Sequence, residues 1–491
     1  MSRVLRATGI AAALLLLALA AVAAAGYARR VSLAERVLLA RIAARGVSPA
    51  ALHVTGVDAR GISIADLVIG AAEAPDLKIA AIAASWSLAG LREGRLDSLH
   101  ISGVELGGTQ RDGKLSLGAL DAWFGGDGSP DATPALPASE IAIEAARVRI
   151  ATPQGVATGA LGGSLRSAAD GSINGAFKLA LDGAGLRARG TLELAGSLEG
   201  PTFHALLDAD PGLPIAGRIE VRGTITREKG ERGFDATVAL RDASYDSKIV
   251  RASGVNGVIA VQGPPLRTPQ KQVLSLAKVN VGVPLTDGLV EFSLRRDGTI
   301  AIAVATLHLA KGELRAQDVV LDPRAKQTQL TLQARGLDLT ELLANIDLPG
   351  IEGTGRVDGD VPLTRSGSTL LVTGGKLHAA EGGGTIRYTP SEETRAFAAS
   401  RPHDLGIALD AFSDFHYEIL EARLDGELQG EMKIGLHVRG ANPSFQDGRQ
   451  VELNLNLEAR LADLVRDAAG AYRVPDVIEE RLRAFSAGET K

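Results

Sequence analysis

The stretch EMKIGLHVRG, residues 431–440, sets the strongest constraint on fold. Met432, Ile434, Leu436 and Val438 alternate with Lys433, Gly435, His437 and Arg439. A repeat of two residues is the signature of a β-strand with one apolar face and one wet face. The pattern recurs along the chain. In VELNLNLEARL, Leu453, Leu455 and Leu457 alternate with Glu452, Asn454 and Asn456. In GTIAIAVATL, Ile300, Ile302 and Val304 fall on alternate positions, as do Ile219, Val221 and Ile225 in RIEVRGTIT. SLHISGVELGG places Leu99 with Ile101, then Val104 with Leu106. Asp-Gly pairs punctuate these runs, at Asp112, Asp170, Asp182, Asp287, Asp297, Asp358, Asp425 and Asp447 among others. Asp-Gly suits the left-handed conformations of two-residue hairpin turns. Helical patterns are few: Thr340–Ile346, and the C-terminal VPDVIEERLRAF with Val477, Ile478 and Leu482 on one side. The strand–helix alternation of a parallel sheet is missing. The expected body is all-β and mainly antiparallel, with a few short helices.

Composition narrows the function. Hydrophobic residues make up 45% of the 491, but aromatics only 3%. An outer-membrane barrel would need aromatic girdles, so it is not expected. A net charge of -5 argues against nucleic-acid binding, and no aromatic RNA-stacking motif occurs. The absence of cysteine excludes disulfides, thiolate catalysis and cysteine-ligated metals. His53, His100, His204, His308, His378, His403, His416 and His437 are scattered, and none forms H-E-x-x-H. The densest polar sites, DFHYE at 414–418 and His403 with Asp404, read as solvated, as do Glu392-Glu393 and Glu479-Glu480. Gly108, Gly113 and Lys114 have P-loop spacing, but Leu115 follows where magnesium needs Ser or Thr. No nucleophile elbow is present. No catalytic residue, metal ligand or cofactor site is assigned, and the chain is expected not to be an enzyme.

The N-terminus speaks to compartment. Arg3 and Arg6 precede an uncharged run, Ala7–Ala28, closed by Arg29 and Arg30. At about 1.5 Å per residue such a run spans roughly 30 Å, one bilayer core. Residues 1–30 are read as an uncleaved anchor, with a cleaved signal peptide as the competing reading. Residues 31–46 form an amphipathic helix, with Leu33, Val37, Leu38 and Ile42 at helical spacing. A β segment follows over 47–124. The Gly/Pro/Ser-rich linker GGDGSPDATPALPAS covers 125–139. A long β region covers 140–470, and a C-terminal helix and tail 471–491. The stretch GIEGTGRVDGDVPL, 350–363, spaces its glycines almost like a dinucleotide-binding turn. No helix follows, and Pro362 is poorly placed inside one. It is read as a strand pair turned at Asp358-Gly359.

From about Asn280 to Arg460 the chain resembles a known family. VNVGVPLTDGLVEFSL, AKGELRAQDVVLDP, LTLQARGLDLTELLANIDLPGIEGTGRVDGDVPL, GGKLHAAEGGGTIRY and ELNLNLEARL follow one another as in YdbH proteins of Gram-negative bacteria, akin to AsmA and TamB proteins. AASWSLAGLREGRLDSLHISGVEL near the N-terminus fits the same type. The resemblance implies an inner-membrane anchor, a periplasmic body, and an elongated, open β-groove that carries phospholipids between the inner and outer membranes. It also implies a small outer-membrane lipoprotein partner. An older label for the domain, dicarboxylate transport, finds no set of polar membrane helices to support it.

Physics gives a separate reason for a groove. A stack of antiparallel hairpins has one apolar face, which a second sheet, a membrane or a ligand must cover. Acyl chains would serve. About 25–30 strands at about 4.8 Å each would make a trough on the order of 120–140 Å long. The residues expected to line it are Ile300, Ile302, Val304, Met432, Ile434, Leu436, Val438, Leu453, Leu455 and Leu457. The rival reading is a non-catalytic periplasmic scaffold, or an outer-membrane assembly factor, built of β-sandwich domains. VELNLNLEARL is the last strong strand, and an open edge there invites strand addition by the lipoprotein.

Overall fold

The computed structural model describes residues 29–460, except 72, 112–113, 125–135, 153–154, 169, 184, 212, 229–230, 346–349, 391 and 393–410. The apolar run Ala7–Ala28, most of the linker, His403 with Asp404, and the C-terminal helix lie outside the described residues. The described chain is all-β, with 25 strands and few helices. No described helix is long and apolar enough to cross a membrane. The chain forms two compact units. Unit one runs through Ala209 and includes Arg222–Arg232; unit two comprises Asp210–Val221 and Gly233 onward.

Unit one opens with helix α1 (Arg30–Ala44), which stops at Gly46, where a left-handed φ of 80° lets the backbone N–H close onto Ala43. Strands β1 (Ala50–Val57), β2 (Gly61–Ala71), β3 (Ala74–Ser85) and β4 (Leu96–Arg111) pair antiparallel in chain order. A short helix α2 (Leu88–Arg92) links β3 to β4, its N-terminus capped by the Ser87 hydroxyl accepting from Gly90 N. Strand β5 (Lys114–Ser116) folds back on β4, and a 3₁₀ turn (Gly118–Leu120) leads into α3 (Asp121–Phe124). Then β6 (Ala138–Thr152), β7 (Gly155–Ser167), β8 (Ser172–Gly183), β9 (Leu186–Ser197) and β10 (Pro201–Ala209) continue the antiparallel ladder.

The join between β4 and β6 is parallel, with Leu99 opposite Ile141 and Leu106 opposite Val148. Alternation alone does not reveal this. The excursion through β5 and α3 returns the chain to the start of β4, where Leu96 N donates to Pro137 O at 2.9 Å, so β6 must run in the same direction. The α1 stripe also differs from expectation. Val31, Ala34, Leu38, Leu39 and Ile42 pack on the sheet, whereas Leu33 and Val37 are 47% and 58% exposed.

Strands β11 (Ile215–Glu228) and β12 (Glu231–Asp246) contribute residues to both units. Unit two continues with β13 (Arg251–Gly263), β14 (Gln272–Asn280), β15 (Pro284–Leu294), β16 (Ile300–Leu309), β17 (Gly312–Leu321) and β18 (Gln327–Asp338). Helix α4 (Leu339–Asn345) follows, its first turn capped by Asp338, whose carboxylate accepts from Thr340 N and Glu341 N. Next come β19 (Ile351–Gly353), β20 (Arg356–Ser366), β21 (Thr369–Ala379), β22 (Gly384–Tyr388), β23 (Phe415–Glu427), β24 (Glu431–Ala441) and β25 (Gln450–Arg460). The ladder runs from β12 to β18, then through β20, β21, β23, β24 and β25, all antiparallel. Strands β19 and β22 pair to one side, with β22 also on the first residues of β23.

Three bulges in unit two share one device. In β12, β18 and β21 an extra residue sits between Leu240 and Ala243, Ala334 and Leu337, and Val372 and Gly375. Each contains a left-handed residue: Asp242, Gly336 or Gly374. The backbone N–H of that residue donates to an Asx side chain on the next strand of the ladder: Asn256 at 2.9 Å, Asp358 at 2.6 Å and Asp425 at 2.6 Å. Each Asx precedes a glycine that must lack a side chain. A Cβ on Gly257 would lie 2.5 Å from Leu274, and one on Gly359 or Gly426 would collide with the carbonyl of Lys376 or Glu431. Asp358-Gly359 and Asp425-Gly426 are therefore mid-strand clasps, not the turns expected from sequence. Asp170 and Asp297 do sit at hairpin turns. A bulge raises local twist and bends its strand.

Unit two is strongly curled. From β13 to β23 is eight ladder steps, which in a flat sheet would separate them by about 38 Å. Yet Gln429, in the turn after β23, donates to Ile249 O, in the turn before β13, at 2.7 Å.

Candidate functional site: aliphatic rows on the curled sheets

Cross-strand register assembles long aliphatic rows. In unit two one row runs Leu307, Leu314, Ala334, Gly359, Leu377, Ala422, Leu436, Leu455, one residue from each of eight consecutive ladder strands. A parallel row runs Leu330, Leu363, Val372, Gly426, Met432. Between them Ile434 stands opposite Leu424 and Leu457, and beyond them Val438 stands opposite Leu420 and Leu453. Met432 and Val438 are sealed, at 0% and 1% exposure, while Ile434, Leu436 and Leu453 are half-buried. Ile300 lies between Leu294 and Leu321, and Ile302 between Phe292 and Val319. Val304 lies between Glu291 and Gln317, because the register slips at Ala303.

Unit one carries two rows of its own. One runs Ile69, Leu77, Leu106, Val148, Gly159, Leu181, Ala188, Ala209, and the other Ile64, Ile82, Ile101, Ile143, Gly163, Phe177, Leu192, Ala205. Over β1–β4 these rows are covered. The α1 stripe and Leu117, Ala119 and Leu120 pack on them, and Leu52, Val54, Leu67, Ile69, Leu77 and Ile79 are buried. The cover is pinned by Asp76, which accepts from Ala119 N at 2.9 Å. Over β7–β9 the cover is partial: Ile173, Phe177 and Ala188 are buried. Leu161, Leu165, Leu179, Leu192 and Leu194 are half-buried, and Leu181 is 36% exposed.

The opposite faces are charged and wet. His437 lies between Glu452 at 2.8 Å and Glu421 at 3.7 Å. In DFHYE, Arg387 bonds Asp414 at 2.8 Å and holds its carboxyl below the usual range, with His416 adding to the effect. Tyr417 points inward, donating to Thr354 O at 2.7 Å, and burial raises its phenol pKa. Among the described residues no three His, Asp or Glu side chains converge to hold a metal ion. In the glycine-rich stretch 350–363, Gly353 makes room for Leu339 and Leu343, and Gly355 for the Tyr417 hydroxyl.

Among the described residues the sheets offer aliphatic rows, long in the direction of the ladder, buried at Leu314, Ala334 and Val438 and half-buried at Leu307, Leu377 and Leu436. Alternation made the ends of these rows legible. Val372 and Leu377 were not singled out in the sequence, because the glycines in their strand interrupt the period. No curated protein and no solved structure matches the chain. A family model described as YdbH-like, Intermembrane phospholipid transport protein YdbH, matches residues 14–202 and 170–483. An open, mainly antiparallel sheet with a long aliphatic face fits lipid transport, and the family model matches nearly the whole length: the chain belongs to the YdbH-like family of intermembrane phospholipid transport proteins.

Proposed function

We propose that the chain conducts phospholipids between the inner and outer membranes along a hydrophobic groove lined by these aliphatic rows. The observation that carries this reading is the row Leu307–Leu455, which crosses eight strands and keeps Leu307, Leu377, Ala422 and Leu436 half-buried beside the buried Leu314 and Ala334. Side chains of this kind gain about 25 cal/mol for each Å² of apolar surface removed from water. Acyl chains laid along the row supply that cover without fixing any one lipid in place, which suits a path better than a pocket. Residues 7–28 hold the chain in the inner membrane as a single span, with the bulk in the periplasm. The route is non-enzymatic and uses no cofactor. The edge of β25 that is unpaired among the described residues takes an added strand from a small outer-membrane lipoprotein, since an unpaired edge is a template for strand addition.

A photo-crosslinking residue placed at Leu436, and separately at Lys433 on the wet face, tests the path. Lipid adducts are expected at Leu436 and not at Lys433. Equal labelling at both positions, or none at either, would sink the reading. Ile434→Asp puts a carboxylate among acyl chains at a cost of several kcal/mol. It is expected to stop transport while the protein still accumulates and resists protease. Degradation of that variant instead favours the scaffold of sandwich domains, in which Ile434 would be core.

A further inference from the structure

On the wet face of unit one, two neighbouring cross-strand rows share a layout that the aliphatic path does not require. One runs Arg147, Ala160, Ala180, Arg189; the next runs Arg149, Thr158, Asp182, Arg187. Each begins and ends in arginine, with short side chains between. Both rows line a cavity of about 770 Å³, with Glu73 and Glu105 at its β3–β4 side. That volume lies within the usual range for small-molecule sites, roughly 300–1,000 Å³.

The cavity lining carries four arginines against three carboxylates, Glu73, Glu105 and Asp182. Arg187 pairs with Asp182 at 2.9 Å. Arg147, Arg149 and Arg189 make no ion pair or side-chain hydrogen bond among the described residues, although Glu105 stands beside Arg147 and Asp208 beside Arg189 in register. Arg147 and Arg149 project from one face of a single strand about 7 Å apart, and the two arginine-bearing strands are about 14 Å apart. The small residues between them leave the floor open, so long side chains from both walls reach the same space. Guanidinium groups carry fixed forks of N–H donors, which match the oxygens of a phosphate in pairs.

We propose that this cavity binds a phosphate-bearing anion, held by Arg147, Arg149 and Arg189, with Arg187 kept in place by Asp182. The cavity lies at the rim of the sheet: its β8 and β9 residues, 180–182 and 187–189, directly flank the turn after Gly183. Two sources of the anion share this chemistry, a lipid headgroup reaching over the rim and a free phosphate compound. The site does not depend on the aliphatic rows carrying lipid.

The test uses the full chain in a non-ionic detergent at low salt. Calorimetry is run with glycerol 3-phosphate and, separately, with dihexanoyl phosphatidylglycerol below its micelle concentration. Binding is expected to weaken about tenfold for each of Arg147→Gln and Arg189→Gln. Lys178→Gln, on the wet face of β8 outside the cavity, should leave it unchanged. Arginine-dependent binding of both probes assigns the site to phosphate itself. Arginine-dependent binding of the lipid alone assigns it to a headgroup. Binding of neither, or lipid binding indifferent to both arginine variants, overturns the proposal. Crosslinking at Leu436 is read in the same variants, so a failure of this site and a failure of the lipid path are told apart.

Discussion

Strands β2–β3 and strands β7–β8 are built from the same materials, aliphatic residues on one face and polar or small ones on the other, yet they end differently. Over β2 and β3, helix α1 and the Leu117–Leu120 turn form a lid, and Ile69 is fully buried. Over β7 and β8 neither α1 nor the Leu117–Leu120 turn packs, and although Ile173 and Phe177 are buried, Leu179 and Leu181 keep part of their surface free. The difference does not lie in the strands. It lies in a single amphipathic helix that precedes them and a short insertion between β4 and β6. An apolar face becomes core where the chain spends residues to cover it, and becomes a surface for other molecules where it does not.

The largest expected effect separates the two faces directly. Ile69→Asp buries a carboxylate under α1 with nothing to pair it, and should cost about 4 kcal/mol or more, enough to unfold unit one in limited proteolysis. Leu179→Asp meets water instead, and the protein should remain folded with an unchanged circular dichroism spectrum. If both variants unfold alike, the face over β7–β9 is core after all and the comparison fails.

Removing the lid is the next test. Leu38→Ala with Leu39→Ala strips two packed side chains from α1, and for partly buried leucines should destabilise unit one by roughly 2–4 kcal/mol together. It should also free the rows beneath, so that a crosslinker at Ile64 acquires lipid it does not acquire in the parent. Destabilisation without new labelling would mean that the covered face is not equivalent to the open one.

A smaller effect is expected from the clasps that bend the open rows of unit two. Asp358→Ala and Asp425→Ala each leave a bulge N–H without its carboxylate, at about 1–2 kcal/mol. Hydrogen exchange at Gly336 and Gly374 should rise, while exchange over β2–β3 stays as it was. These clasps also mark the limit of what the sequence discloses. Strands were legible because Met432 to Val438 alternates without a break. Helix α4 was legible because Asp338 caps a compact apolar run. Asp358-Gly359 and Asp425-Gly426 were misleading, because turns and bulges draw on the same chemistry: a residue without Cβ strain and a short carboxylate that accepts a backbone N–H. The distinguishing signal was present, since Val357, Val361 and Leu363 continue the apolar pattern through the dipeptide. The contact of Gln429 with Ile249 had no local signal, because it depends on the summed curl of eight ladder steps.

The smallest expected effect is in acid, and it again contrasts lid with open ladder. Asp121, in the lid, accepts from the Ser116 hydroxyl at 2.6 Å and from Leu117 N at 2.7 Å, and these bonds lower its pKa, the hydroxyl most. Asp170, at the β7–β8 turn, accepts from the Ser172 hydroxyl and N–H and is lowered likewise. A carboxyl whose pKa is depressed on folding contributes its stability above the unfolded value, 3.8, and loses it as pH falls through the lower folded value. Both groups are solvent-exposed, so each contribution is small. What differs is the consequence. Protonating Asp121 loosens the turn that seats Leu120, so exchange protection of β2–β3 should fall below about pH 4 and become indifferent to pH in Asp121→Asn. Protonating Asp170 loosens only a hairpin tip, so Asp170→Asn should alter exchange at Gly171 and Ser172 and leave the rows of β7 and β8 as they were. Equal loss of protection across both regions in acid would show that the lid is not a separate element, and that its cover is a property of the whole sheet.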